Sequence, residues 1–203
     1  MSLDVKSSGA TSATSLAAAF GELAEAVSRS VVVVRGGPGS SGSGVVWDRP
    51  GLVITNHHVV PGPVAQVVLG DGRRLSARVS LRAPRLDLVA LEVSPDAGLV
   101  QARVGDSARL RPGDLVLAVG NPMAERNAAA LGIVSSAGSD GLRLAINLRP
   151  GNSGGALANA RAEIVGIPHM VTGRGVALAV PSQVVQGFLS ADAEDQPGRL
   201  DWL

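Results

Sequence analysis

Short runs of hydrophobic residues, many of them alternating with polar ones, occupy most of the chain and are separated by turn-forming residues. Alternation with a period of two is typical of β-strands that bury one face. The predicted strands lie at 31–34, 45–47, 52–55, 64–69, 75–81, 88–93, 115–119, 133–136, 142–146, 156–157, 164–167 and 176–180. The pattern therefore predicts an all-β fold.

The two ends of the chain depart from this pattern. A first segment carries apolar residues at helical spacing after a cap at Thr14 or Ser15, namely Leu16, Phe20, Leu23 and Val27. A second helix is predicted over 182–190, after Pro181. Residues 1–14 are rich in Ser, Thr, Ala and Gly, so we predict that they are disordered or were added by cloning, and residues 191–203 form a tail.

The segment 36–44 consists mainly of glycine and serine. Glycine-rich loops can bind phosphate, but this one lacks the Gly-Lys-Ser/Thr ending and no helical pattern follows it. We therefore predict a mobile hairpin connection here.

Composition narrows the functional classes. The 203 residues suffice for one large all-β domain or two small lobes, and 26 glycines with 12 prolines fit strands joined by many turns. No cysteine is present, so disulfides, thiolate metal sites and thiol redox chemistry are excluded. A net charge of +1 with scattered arginines argues against nucleic-acid binding.

The strongest chemical signal is a serine between glycines, in Gly151-Asn152-Ser153-Gly154-Gly155. A serine hydroxyl attacks a carbonyl only with a base to take its proton and with donors for the oxyanion. Upstream, His57 or His58 offers the base and Asp87 offers a carboxylate to orient it. The order His, Asp, Ser is that of the chymotrypsin plan.

The same serine pattern also fits the nucleophile elbow of an α/β-hydrolase, in which acid and base follow the serine. That esterase would need Glu163 and His169 as partners, and an acid so close in sequence to its histidine has poor geometry. His169 is more simply interpreted as a surface or subsite residue. No spacing of His, Asp and Glu predicts a metal site, and no cofactor is expected.

These motifs resemble the HtrA/Deg branch of the trypsin-like serine proteases. The likeness runs from about residue 16 to about residue 190 and rests on Thr-Asn-His-His-Val-Val at 55–60, Asp-Leu-Val-Ala-Leu at 87–91, Pro-Gly-Asn-Ser-Gly-Gly at 150–155 and Gly-Val-Ala-Leu-Ala-Val-Pro-Ser at 175–182. In that branch the catalytic histidine is the fourth residue of its motif. The resemblance therefore assigns His58 rather than His57.

The resemblance implies two six-stranded antiparallel β-barrels of the trypsin type with a helix at each end, forming a protease domain over 15–190. As a departure from that branch, no PDZ domain is expected in this sequence. The N-lobe would span about 30–97 and the C-lobe about 98–181. The implied triad is His58, Asp87 and Ser153. The implied oxyanion hole is formed by Gly151, Asn152 and Ser153, and the implied specificity pocket by Asn147, Leu148, Gly166, Ile167, Pro168 and Ala177.

By the same resemblance the chain is expected to be a serine endopeptidase that cuts unfolded or flexible proteins. A pocket floor without an acid favours small or medium aliphatic residues before the scissile bond, because a buried substrate cation would lack a partner. The alternative is a resting or inactive binding module of the same fold. Relatives also imply a homotrimer and an extracytoplasmic location, with membrane attachment only through a segment absent from this sequence.

Overall fold

Each half of the chain closes into a six-stranded antiparallel barrel. The computed structural model describes residues 8–121, 127–138, 141–171 and 176–190. A helix, α1, precedes the first barrel over Ser8–Ser28. The barrel strands are β1 (Val31–Gly37), β2 (Ser40–Val46), β3 (Leu52–Thr55), β4 (Val64–Val68), β5 (Arg74–Ala83) and β6 (Leu88–Glu92), in the order β1-β2-β3-β6-β5-β4.

The second barrel follows an extended connection that contains two short 3₁₀ helices, Pro95–Ala97 and Ser107–Arg109. Its strands are β7 (Leu115–Gly120), β8 (Ala128–Gly138), β9 (Gly141–Ala145), β10 (Ala156–Asn159), β11 (Ile164–Val171) and β12 (Ala177–Pro181), in the order β10-β11-β12-β9-β8-β7. A second helix, α2, ends the described chain over Ser182–Ser190. Neither described helix has the length and apolar character needed to cross a bilayer.

The all-β prediction is confirmed, and each predicted strand overlaps one strand of the structure. Alternation explains how two barrels form one protein, because successive side chains of a strand point to opposite faces. In the first barrel, Val46 and Val53 lie inside, whereas Val45 and Ile54 belong to a buried cluster between the barrels. This interlobe cluster also includes residues of the second barrel and of α2, so the two lobes are held against each other by a continuous hydrophobic core.

Two predictions about local structure were wrong in part. The helix α1 begins at Ser8, so residues 8–14, predicted to be disordered, are helical, while residues 1–7 and 191–203 lie outside the described residues. The glycine-rich segment does form the predicted hairpin, since β1 and β2 pair antiparallel, but most of it belongs to the two strands and only residues 38–39 form the turn. Gly44 is needed there for packing, since a Cβ at this position would lie 2.7 Å from side chains of Val34 and Val53.

Candidate active site

The two histidines lie in a short 3₁₀ turn, His57–Val59, that directly follows β3. Two hydrogen bonds join this turn to the backbone carbonyl oxygen of Asp87. Asn56 Nδ2 donates to that oxygen at 2.8 Å, and the His57 N–H donates to it at 3.1 Å. Because Asn56 is fully buried, these bonds are shielded from competing water. The histidine turn therefore has a defined position relative to Asp87.

Asp87 lies between the 3₁₀ turn Pro84–Leu86 and β6, in the left-handed region with φ 51° and ψ 41°. This backbone conformation is uncommon for a residue other than glycine. Both carboxylate oxygens accept from His58: the backbone N–H reaches Oδ1 at 3.0 Å, and ring Nδ1 lies 2.8 Å from Oδ2. A carboxylate can only accept, so the shared proton resides on Nδ1 and leaves Nε2 of His58 as the basic atom.

The charges of this pair depend on their surroundings. Burial raises the pKa of the Asp87 carboxyl, but the contacts with the His169 and His58 side chains and the His58 N–H outweigh burial and hold that pKa well below its usual value. The Asp87 hydrogen bond raises the pKa of His58 above 6.5, against the opposing effect of burial. Asp87 is thus a stable anion that strengthens His58 as a base.

His57 has a different set of contacts. Its Nδ1 lies 2.6 Å from an Arg82 nitrogen, and the same guanidinium donates to the carbonyls of Val60 and Gly62 at 2.7 Å each. Arginine can only donate, so Nδ1 of His57 accepts and its ring is neutral in this arrangement. Burial and the Arg82 charge lower the pKa of His57. Of the two neighbouring histidines, only His58 has its ring bonded to the Asp87 carboxylate.

The loop between β9 and β10 carries Ser153 and adopts backbone angles that require glycine. Gly151 has a φ of 100° and Gly154 a φ of 80°. The Asn152 N–H donates to the Arg149 carbonyl at 3.0 Å, closing a tight turn. In the described part of the chain, the backbone N–H groups of Gly151 and Ser153 donate to no other group. These two donors remain available to a ligand.

Ser43 of β2 holds this loop in place, and sequence reasoning missed it. Its N–H donates to the Ser153 carbonyl at 2.9 Å, and its hydroxyl donates to the Gly151 carbonyl at 2.7 Å. The hydroxyl also accepts from the Asn121 N–H at 2.7 Å. The only sequence signal was a serine between two glycines within the glycine-rich segment 36–44.

Close backbone packing joins the serine loop to the histidine turn. A Cβ added at Gly154 would collide with Thr55 Oγ1 and with the Ser43 carbonyl, and it would lie 3.1 Å from the Asn56 nitrogen. Thr55 Oγ1 donates to the Ser43 carbonyl at 2.6 Å. The loop that bears Ser153 therefore packs directly against the residues that precede His57 and His58.

The Ser153 hydroxyl donates to the His169 carbonyl at 3.5 Å, and within the described residues it makes no hydrogen bond to His58. The His169 side chain, on β11, is 1 % exposed, and its Nδ1 lies 3.6 Å from Asp87 Oδ2. Of the two predicted interpretations of His169, the surface residue is therefore wrong, whereas the subsite residue stays a prediction, because His169 lines the cavity beside Ser153. It faces the site because the bulge between Pro168 and Met170 shifts the register of β11 against β12.

A cavity of about 310 Å³ adjoins the serine. Its lining consists of Leu148, Arg149, Pro150, Asn152, Ser153, Pro168 and His169. Of the residues predicted for a specificity pocket, Leu148 and Pro168 line this cavity. The others lie elsewhere: Asn147 is exposed, Gly166 is buried within β11, Ile167 belongs to the interlobe cluster and Ala177 to the core of the second barrel.

The structure rejects the esterase alternative. Both barrels are antiparallel, whereas an α/β-hydrolase needs a parallel sheet. Its required acid, Glu163, accepts from Asn159 Nδ2 at 2.8 Å and from Arg161 Nε at 3.0 Å. Across the described ranges, no three His, Cys, Asp or Glu side chains are grouped so that they could bind a metal ion.

Two antiparallel barrels with a His–Asp pair and a glycine-framed serine loop define the class of trypsin-like peptidases. The chain belongs to this family: residues 42–167 match the trypsin-like peptidase domain. The resemblance to the HtrA/Deg branch is confirmed by similarity to curated HtrA and DegP serine proteases.

Three relatives illustrate this similarity. The chain is 34% identical over 172 residues to serine protease HTRA3 of Rattus norvegicus, covering 75% of the chain and 38% of the relative. It is 36% identical over 171 residues to the periplasmic serine endoprotease DegP of Salmonella typhimurium strain LT2 and, equally, to that of Escherichia coli strain K12, covering 75% of the chain and 36% of each relative. The chain thus spans less than two fifths of the length of these relatives.

Proposed function

We propose that the chain is a serine endopeptidase in which Ser153 is the nucleophile, His58 the general base and Asp87 the residue that orients His58. The observation that carries this proposal is the pair of hydrogen bonds between His58 and the Asp87 carboxylate, one from the imidazole ring and one from the backbone N–H. It holds the imidazole in the tautomer whose Nε2 can take a proton. The packing of the Ser153 loop against the histidine turn supports the third role.

In the reaction, the Ser153 hydroxyl leaves the His169 carbonyl by rotation about its Cα–Cβ bond and donates to Nε2 of His58. A rotation between staggered positions is a small change, and the 3.5 Å bond that it breaks is long. Ser153 Oγ then attacks the peptide carbonyl while His58 takes the proton. His58 returns this proton to the leaving amine, and water hydrolyses the acyl-enzyme by the same steps.

The oxyanion of the tetrahedral intermediate is proposed to bind the backbone N–H groups of Gly151 and Ser153. Both groups are without an acceptor in the described part of the chain. The N–H of Asn152, also predicted as a donor, is bonded to the Arg149 carbonyl, so Asn152 serves as the turn residue between the two donors. Each such donor lowers the barrier by about 2.7–4 kcal/mol in comparable sites.

Substrate preference follows from the cavity beside Ser153. We propose small or medium aliphatic residues before the scissile bond, because Leu148 and Pro168 offer apolar surface and the described residues that line the cavity include no acidic side chain. Arg149 also lines it and would repel a substrate lysine or arginine. A peptide library scanned at this position tests the preference, and a dominant selection of basic residues would contradict it.

The proposed substrates are unfolded or flexible proteins, in keeping with relatives named serine proteases and endoproteases. The DegP relatives are named periplasmic, which supports an extracytoplasmic location for this chain. We further propose a homotrimer assembled through the N-terminal segment, where Leu16 of α1 is 58% exposed. Sedimentation of the full chain at several concentrations tests this assembly, and a monomer throughout would exclude it.

A fluorophosphonate probe tests the proposed function directly, because it reacts only with a serine activated by a base. We expect stoichiometric labelling at pH 8 in the wild type and none in Ser153→Ala or His58→Ala. Cleavage of a reduced, unfolded protein should be lost in the same two variants. An unlabelled wild type of correct fold would exclude catalysis and favour a binding module.

A further inference from the structure

A second imidazole lies against the carboxylate of the His–Asp pair. Nδ1 of His169 is 3.6 Å from Asp87 Oδ2, the same oxygen that lies 2.8 Å from Nδ1 of His58. The His169 side chain is 1% exposed and that of Asp87 is 18% exposed, so water screens this contact little. At this distance the interaction is electrostatic rather than a short hydrogen bond.

The backbone around His169 also contacts the serine loop. The His169 carbonyl accepts from the Ser153 hydroxyl at 3.5 Å, and the carbonyl of the preceding residue, Pro168, accepts from the Gly154 N–H at 3.0 Å. The same stretch of β11 therefore touches both the proposed nucleophile and the acid that orients the base. No other described side chain besides His58 and His169 is placed within ion-pair distance of the Asp87 carboxylate.

We propose that His169 is a positioning residue whose imidazole shares Asp87 Oδ2 with His58 and thereby fixes both the orientation of Asp87 and the basicity of His58. The proposal rests on the proposed function of the same site. The physical basis of this role is competition between two donors for one oxygen. When His169 stabilises Asp87 Oδ2 with an N–H or a positive charge, that oxygen becomes a weaker acceptor for the N–H of His58.

The direction of the effect does not depend on the charge of His169. A neutral His169 ring with a proton on Nδ1 competes with His58 for Asp87 Oδ2, and a protonated His169 ring adds a positive charge near His58. Removing that N–H or that charge raises the pKa of His58. Among the described residues, the other charged or titratable groups around the pair are His57, the Arg82 that is bonded to it, and Arg149, which lines the same cavity as His169. The variants below leave all of them unchanged.

A purely structural role is the competing explanation, in which the ring only fills space. Two substitutions separate the explanations. His169→Leu keeps apolar volume and removes the nitrogen, whereas His169→Asn places an amide N–H close to the position of Nδ1. Should His169→Leu fail to fold, His169→Ala carries the same expectation.

The kinetic test measures kcat/KM against pH for the wild type and these variants with one aliphatic peptide substrate. In His169→Leu we expect the acidic limb to move to higher pH by about half a unit or more, and kcat at the optimum to fall about 10-fold. His169→Asn should restore both values close to wild type. An unshifted limb in His169→Leu, or equal losses in the Leu and Asn variants, would overturn the proposal.

A second measurement does not require catalysis. The chain contains only three histidines, so their ring resonances can be assigned by single substitutions and titrated by NMR in a Ser153→Ala background. We expect His169→Leu to raise the pKa of His58 and to leave that of His57 nearly unchanged. An inactive wild type with this shift would contradict the proposed function alone, whereas an active wild type without it would contradict the role of His169 alone.

Discussion

Replacing Ser43 by alanine tests whether a buried hydroxyl on β2 holds the serine loop in its reactive shape. Ser43 is fully buried, and its hydroxyl joins two backbone groups from distant parts of the second barrel. It donates to the Gly151 carbonyl and accepts from the Asn121 N–H, both at 2.7 Å. Alanine removes both bonds without adding volume, so the change isolates the hydroxyl.

The expected magnitude follows from these two bonds. A buried polar group that loses its partner costs about 1–3 kcal/mol, and here two groups lose theirs. Asn121 is buried, whereas Gly151 is only partly so and can regain water, which places the total at about 2–4 kcal/mol. For a domain of this size, that corresponds to a fall in Tm of about 5–12 °C. Because the Gly151 carbonyl, once unbonded, no longer fixes the turn that lies between the Gly151 and Ser153 N–H groups, kcat/KM should fall about 10- to 100-fold.

The assay pairs thermal unfolding by circular dichroism with kcat/KM on an aliphatic peptide. Ser41→Ala is the matched control, since Ser41 lies on the same strand and is exposed. We expect this control to retain the wild-type Tm and activity. A Ser43→Ala protein that matches Ser41→Ala in both measurements would refute the role assigned to the hydroxyl.

Further predictions concern the charged groups and the close packing of the site. Because Asp87 raises the pKa of His58, the acidic limb of kcat/KM should lie above pH 6.5, and a limb well below 6.5 in the wild type would contradict this effect of Asp87. Asp87→Asn should lower kcat by about 10⁴-fold. The pKa of His57 is lowered on folding, so its contribution to stability is present above pH 6.5 and is lost as the pH falls below that value. His57→Gln should therefore reduce the fall in Tm between pH 7.5 and 5.5. An equal fall in Tm in both proteins would contradict this contribution of His57. Removing the Arg82 charge in Arg82→Gln should raise the pKa of His57 in an NMR titration, and an unchanged value would show that burial alone lowers it. Gly154→Ala should lower both Tm and fluorophosphonate labelling, because its Cβ would collide with Thr55 and the Ser43 carbonyl; Gly39→Ala, at another positive φ but with open space, is the control for backbone strain.

Local sequence signals predicted the elements of the fold well, for a physical reason. A strand that buries one face needs alternating side chains, and a turn with positive φ needs glycine, so both leave a local record. The strand at 52–55 was predicted with the observed bounds, Leu52–Thr55. The length of the connection within 36–44 was overestimated, because Gly39 serves the turn with its positive φ whereas Gly44 is required by packing between strands.

By itself, the sequence determined the all-β class, the order of the histidine, aspartate and serine motifs, and the glycines that permit the loop around Ser153. The tertiary structure alone decided that Ser43 bonds this loop and that His169 is buried against Asp87. The sequence, through its resemblance to the HtrA/Deg branch, also favoured His58 over His57, and the structure adds the contacts that distinguish them: His58 is bonded to the Asp87 carboxylate and His57 to Arg82. These contacts join residues from different strands and lobes, and their energies depend on burial and on distances between side chains that no local pattern encodes.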